Sequence, residues 1–418
     1  MSLLIRSNPA SQAEKAYTWH VLFREILGLD YVMAFEPTEY GHELCLPNGQ
    51  QFFIPDTFDS LHPASDWNFQ LDTKDYQSPD FDVFAFCFFM LSRLEEYQTS
   101  HRDAHGRFPA KASWAFRNGV LDRPVVNECT NWLWEKLQRA GFTGERKLPE
   151  FRWSFSCDVD HPRLWWTGAA RLKTLAGALL KRRSITEAQF WLKQPGMFRR
   201  SAADPYDVFE EWMNLFDQYG HVIQWNFMGQ RAPGSDCWYP LENPFIKKLI
   251  LNLAERGHTI GFHPGYESYN NQDAFNQELN SLQELSPVAV KSGRQHYLRF
   301  SNPETWQVWE KAGMEEDSTL GYAEADGFRS GICQSYPAFD LSQRKMLHLR
   351  EKPLVLMDVT LAQYLRLTPE QGIAKIRYYH KVVKQYGGEL TLLWHNSSWN
   401  TPFWTPWKKV FLESLRLD

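Results

Sequence analysis

The sequence predicts an α/β protein, with a smaller α+β domain at residues 1–149 followed by a domain at 150–418 in which strands and helices alternate. Three observations carry this. The chain has 418 residues, more than one hydrophobic core usually organises. From Phe151 to Leu417, short apolar or β-branched runs alternate with amphipathic helical stretches, the pattern of a mostly parallel sheet, open or closed into a barrel. Four of those runs break abruptly into Asp, His or Arg: SFSCDVDHP (Ser154 to Pro162), GHTIGFHPGYES (Gly257 to Ser268), GRQHYLRF (Gly293 to Phe300) and LTLLWHN (Leu390 to Asn396). In α/β folds, function gathers at the C-terminal ends of strands, so these breaks point to an enzyme.

Composition narrows the class. Hydrophobic residues make up 43%, aromatics 15% and charged residues 23%, which describes a globular chain with a large core. A net charge of −5 gives no long-range attraction for nucleic acid and argues against it as a partner. The six cysteines form no CxxC pair, so neither a zinc knuckle nor a disulfide framework is indicated. The opening MSLLIRSNPASQAEK lacks the apolar core and cleavage site of a signal peptide, and nowhere do roughly 18 apolar residues run together. A soluble cytoplasmic protein is expected.

In the first domain, Ser11 followed by Glu14 predicts a capping box, with Tyr17, Val21 and Leu22 on one helical face until Gly28. Alternation at Leu44 and Leu46, then Phe52 and Ile54, around Asn48 and Gly49 predicts a hairpin. Helices are predicted at Phe81 to Tyr97 and Val125 to Leu137. Glu95, Glu96, Asp103 and His105 are expected to be solvated or paired with Arg rather than to bind metal, because adjacent Glu95 and Glu96 point apart on a helix.

In the second domain, strands are predicted at Arg152 to Cys157, Val222 to Phe227, Thr259 to Phe262, Lys291 to Leu298, Leu354 to Val359 and Leu390 to Trp394. Helices are predicted at Tyr206 to Tyr219, Phe245 to Arg256, Ala274 to Leu285, Glu304 to Ala312, Pro369 to Gln385 and Pro406 to Leu415. Asp158 and Asp160, two apart at a strand end, can be offered to one ligand. Two carboxylates this close resist joint ionisation unless a cation or donors sit between them, and a metal resolves the conflict. His263 ends a strand before the turn at Pro264 and Gly265, and His395 closes the last strand. With Arg294, these residues form a candidate site.

At these motifs the second domain resembles the polysaccharide deacetylase superfamily, metal-dependent hydrolases that remove acyl groups from amino sugars and other amides. The resemblance covers about Arg152 to Leu417 and implies an irregular (β/α)7-type barrel. DVD is similar to the family's aspartate pair, which implies Asp158 as catalytic base and Asp160 as metal ligand. GHTIGFHP resembles the segment carrying the first metal histidine, His263, with His258 as its non-ligating neighbour. RQHY resembles Arg-Pro-Pro-Tyr, so Arg294 would orient Asp158 and the backbone amide of Tyr297 would hold the oxyanion. LLWHN resembles the last motif and implies His395 as the acid, while EEDSTLGY implies a supporting Asp317. One departure stands out: four residues after the first metal histidine, the family has a second histidine and this chain has Glu267. Glu267 or His296 could ligate in its place, or binding could be weak; His296 is favoured because imidazole suits zinc and the Asp-His-His set is restored.

The remaining features admit bland accounts. Trp165, Trp166, Trp225, Trp394, Trp399, Trp404 and Trp407 could offer a sugar-stacking rim or pack the core, with Trp166 and Trp399 the best candidates for exposure. Arg329 lies among glycines and could meet an anionic substrate group or pair with a carboxylate. Arg163 to Arg200 is a basic, leucine-bearing insertion, read as a solvated helical excursion with contact to a membrane surface as the alternative. The leading reading is a zinc-dependent hydrolase of an N-acylated carbohydrate; a catalytically degenerate carbohydrate-binding protein and an amidohydrolase of a small non-sugar amide are the alternatives.

Overall fold

The computed structural model describes residues 3–58, 81–197, 204–229, 236, 237 and 239–417. Among these, the strands in chain order are β1 (Leu3–Ser7), β2 (Tyr31–Phe35), β3 (His42–Cys45), β4 (Gln51–Ile54), β5 (Arg152–Val159), β6 (Ile223–Met228), β7 (Thr259–His263), β8 (Ser292–Gly293), β9 (Glu316–Asp317), β10 (Tyr336–Asp340), β11 (Lys345–Glu351), β12 (Leu356–Met357) and β13 (Glu389–Leu393). The fold is mixed α/β with a large parallel sheet. Two compact units emerge: Met1–Arg152 with Tyr297–Val355 and Lys381–Leu390, and Trp153–His296 with Leu356–His380 and Thr391–Asp418. The sequence suggests consecutive domains, 1–149 and 150–418; by contact, two later segments group with the N-terminal part instead.

In the first unit, β2-β1-β3-β4 form a sheet in which β1 runs parallel to β2 and antiparallel to β3. The predicted hairpin is β3–β4, with Leu44 opposite Phe52 and Gly49 supplying a positive φ of 85° in the turn. The capping box does not form. Ser11 sits in the left-handed region without a side-chain cap, and Glu14 instead takes Arg344 at 2.6 Å. The predicted helix at 81–97 breaks at Arg93, φ 53°, into Val83–Leu91 and Leu94–Gln98. The first of these is apolar on every side and wholly buried, and Asp82 caps it by accepting from the Phe84 and Ala85 amides. The antiparallel pair β10–β11 is a hairpin the sequence reading lacks.

Arg93, Glu96 and Arg329 are all buried in this unit. Arg329 donates to Glu96 at 2.9 and 2.6 Å and to the Gly321 carbonyl, while Arg93 donates to Glu96 at 2.8 Å. Arg329 is thus engaged by a carboxylate, which answers the question its sequence position raises. Burial pushes the Glu96 carboxyl up, but Arg329 and Arg93 outweigh it and hold it at about 2. A depressed carboxyl contributes stability that is complete above its unfolded value, 4.5, and fades as pH falls toward 2. Replacing Glu96 by Gln leaves two buried guanidinium groups short of a counter-charge, so E96Q is expected to cost about 3–5 kcal/mol in urea unfolding at pH 7 and much less near pH 2.

In the second unit, the strands run in the order β8-β7-β6-β5-β13-β12. β5, β6, β7 and β8 pair in parallel, as do β12 and β13. Helices Phe209–Tyr219, Pro244–Glu255, Gln272–Gln283 and Pro369–Gln385 correspond closely to the predicted ones. The predicted strand at 291–298 shrinks to two residues, because the chain turns at His296–Leu298. Trp212, Trp225, Trp394, Trp399 and Phe411 are buried and in mutual ring contact. Trp399, expected at the surface, is therefore core, with its indole N–H on Glu211; Trp166 stays part-exposed. No helix of the described residues is long and apolar enough to cross a membrane. Arg199 and Arg200 of the basic insertion lie outside the described residues.

Candidate metal centre

Parallel register builds the site. Asp158 on β5 lies beside Asn226 on β6, and neighbours in register project to the same face, so the Asn226 amide donates to Asp158 Oδ1 at 2.7 Å. Asn226 in turn faces Gly261 on β7, where a Cβ would come within 2.1 Å of its Oδ1. Glycine at 261 is what lets Asn226 reach the aspartate. Gly293 has a similar need, since a Cβ there would meet the Phe262 carbonyl at 1.9 Å. Behind Asn226 a polar chain continues, with Ser292 donating to Gln224 and Gln224 donating to Asn226.

Arg294, fully buried, donates from Nη1 to Asp158 Oδ1 at 3.0 Å and to Ser156 Oγ at 2.9 Å. Burial raises the Asp158 carboxyl, yet Arg294, His263 and His395 outweigh it and keep the group below the ordinary carboxylate value. Asp158 is thus an ionised acid in a dry setting.

Three imidazoles point at the neighbouring Asp160, each anchored through Nδ1. His263 donates from Nδ1 to the Arg294 carbonyl at 2.6 Å, and its Nε2 lies 3.2 Å from Asp160 Oδ1; burial lowers its pKa, but Asp158 and Asp160 outweigh it and raise it. His296 donates from Nδ1 to Asp236 Oδ2 at 2.6 Å, and its Nε2 lies 3.6 Å from Asp160 Oδ1. His395 is clasped by Asp358, whose Oδ1 accepts from Nδ1 at 2.8 Å and whose Oδ2 accepts from the His395 amide at 2.9 Å. Its Nε2 lies 3.9 Å from Asp160 Oδ2. Burial lowers the His395 pKa, but Asp358, then Asp160 and Asp158, carry it up to about 10 and favour the imidazolium.

Asp160, His263 and His296 can each bring one ligand atom within 4.8 Å of the others. Asp160 Oδ1 is buried and faces the Nε2 atoms of His263 and His296. A carboxylate oxygen met by two imidazole nitrogens can share a proton with them or take a cation among them. One carboxylate and two imidazoles are donor types that can hold a divalent ion. Each of these imidazoles is also backed by an acceptor on its other nitrogen.

Glu267 is exposed and is not among these ligand atoms. His258 is buried against Phe216, outside the cluster. Tyr297 belongs to the first unit, with φ 61°, its ring against His105 and its carbonyl accepting from Arg107. Asp317 also belongs to that unit and accepts from the Thr319 hydroxyl. Sequence reasoning missed Asn226, Asp236 and Asp358. Only Asp358 carried a readable signal, an acid breaking the apolar run LVLMDV. A cavity of about 480 Å³ in the second unit is lined by Leu164, Tyr206, Gln363, Ser397, Phe403 and Trp404, among others, and by none of the three ligand residues.

Removing the Arg294 charge strands Asp158 in a buried setting. Arg294→Met is expected to destabilise the fold by about 3–5 kcal/mol in urea, with Asp158→Asn in the same chain recovering part of the loss.

A family of unknown function, DUF7033, matches residues 3–141. No curated protein matches the chain. Among solved structures, the chain is similar to a Mycobacterium smegmatis protein assigned as a polysaccharide deacetylase, at 16% identity and a TM-score of 0.41 over 65% of this chain and 85% of that one. A protein of Pseudomonas aeruginosa PAO1 assigned likewise is similar at 13% identity and a TM-score of 0.40 over 66% and 89%. Puue allantoinase is similar at 11% identity and a TM-score of 0.39 over 63% and 83%.

Proposed function

We propose that the chain is a metal-dependent hydrolase that removes an N-acyl group from a carbohydrate. The observation that carries this reading is the convergence of Asp160, His263 and His296 on one point, with Asp158 and His395 beside it. In this proposal Asp160, His263 and His296 hold a divalent ion, zinc being the best match to the donors. Bound there, the ion supplies Lewis-acid polarisation of the amide carbonyl and of water.

The chain's own groups have divided tasks. Asp158 commits Oδ1 to Asn226 and Arg294 and offers Oδ2 as the proton acceptor for the attacking water. Because Arg294 stabilises the ionised form, Asp158 stands ready as a base at neutral pH. His395, protonated and fixed by Asp358, presents Nε2–H to the departing nitrogen. The backbone amide of Tyr297, next in the chain to His296, is assigned to the oxyanion, a type of contact that contributes roughly 3–4 kcal/mol. The barrel form of the sheet and the carbohydrate substrate belong to this proposal as well, on the strength of the four motifs.

Two measurements test it. Metal content after dialysis should be close to one zinc per chain, be lost in Asp160→Ala and His296→Ala, and be retained in Glu267→Ala; equal retention in all three would remove the ligand assignment. Acetate release from N-acetylated chito-oligosaccharides should fall by about 10²–10⁴ in Asp158→Asn and in His395→Ala. Unchanged rates in both would overturn the division of tasks, and turnover confined to small cyclic amides would overturn the substrate class.

A further inference from the structure

The insertion between β5 and β6 has two faces. Its helices Gly168–Ala176 and Ile185–Lys193 flank a wider turn of helix at Gly177–Lys181. Trp165, Ala178, Ala188 and Trp191 form a small core of their own, with Leu175 and Phe190 packed against it. That uses up the inner face.

The outer face is apolar where solvated helices are polar. Leu180 is 79% exposed, and Leu172 and Ile185 are 70% exposed each. Leu179 and Leu192 are exposed too, and Leu172 and Leu179, seven residues apart, share one stripe. Interleaved with them stand exposed Lys173, Lys181, Arg183 and Lys193. Across residues 163–193 there are seven basic side chains and one acid, Glu187, in a chain whose net charge is −5. Glu187 is itself engaged by Arg182 and by the Trp191 indole.

We infer that this face docks on an anionic lipid bilayer, with the leucines inserted at the headgroup boundary and the lysines and arginine among the headgroup charges. Exposed aliphatic side chains flanked by bases are what interfacial helices present, since apolar insertion and surface potential act together. A second copy of the chain is a poor occupant: a two-fold pairing would set the same cationic face against itself. The inference concerns binding and does not depend on the hydrolase reading.

Co-sedimentation of the full chain with sucrose-loaded vesicles tests it, using phosphatidylcholine alone and phosphatidylcholine with roughly a third phosphatidylglycerol. The chain should pellet with the anionic vesicles only, and less so as salt rises. The double variant Leu172→Ser/Leu180→Ser should weaken partition by about tenfold, and Lys181→Gln/Arg183→Gln should do the same, each with an unchanged melting temperature. Absence of pelleting, or pelleting indifferent to both variants, overturns the inference. So does a dimer in sedimentation velocity that the leucine variant dissolves without any vesicle present.

Discussion

Arg294 is the residue on which the site turns, because its two ends serve two different groups. Its guanidinium binds Asp158, and its carbonyl receives the Nδ1 proton of His263. One short turn after β8 thereby stabilises the ionised acid and fixes the orientation of the imidazole. The position is protected by burial: water that could loosen either bond is excluded, so each is stronger than it would be at the surface. The rest of the arrangement follows the same scheme, in which each side chain is held from behind by one that does not take part in the chemistry. Asn226 stands behind Asp158, Asp236 behind His296 and Asp358 behind His395.

The departure at Glu267 acquires a physical account in this scheme. Glu267 is exposed on the turn after β7. His296 comes instead from the loop after β8, with its amide on the Pro264 carbonyl and its ring locked by Asp236. In the proposed site, two histidines from two strand ends would take the place that one strand end supplies twice. Asp236 also accepts the Tyr266 amide, so it braces the turn that carries Glu267 while it aims His296.

Much of this was legible in the sequence, and the reason is local. A strand that ends in Asp or His carries both the apolar run and the break within a few residues, so Asp158, Asp160, His263 and His395 stand out without any knowledge of neighbours. Asn226 does not, since it lies inside an apolar strand and matters only because β6 pairs with β5 in one register. Ser11 and Glu14 show the converse failure: the local pattern of a cap was present, but Arg344, far along the chain, drew the carboxylate away. Trp399 is misread for a similar reason, because exposure depends on what packs from other elements, and it meets Trp212 and Phe411.

The three candidate ligand residues come from the ends of separate strands, β5, β7 and β8, and no two of them lie close enough in sequence to chelate an ion in an unfolded chain. An ion held there would therefore recognise the native state alone and would bias the folding equilibrium by mass action. Occupancy would then report on the integrity of the whole sheet, and a chelator would act on this protein much as a mild denaturant does.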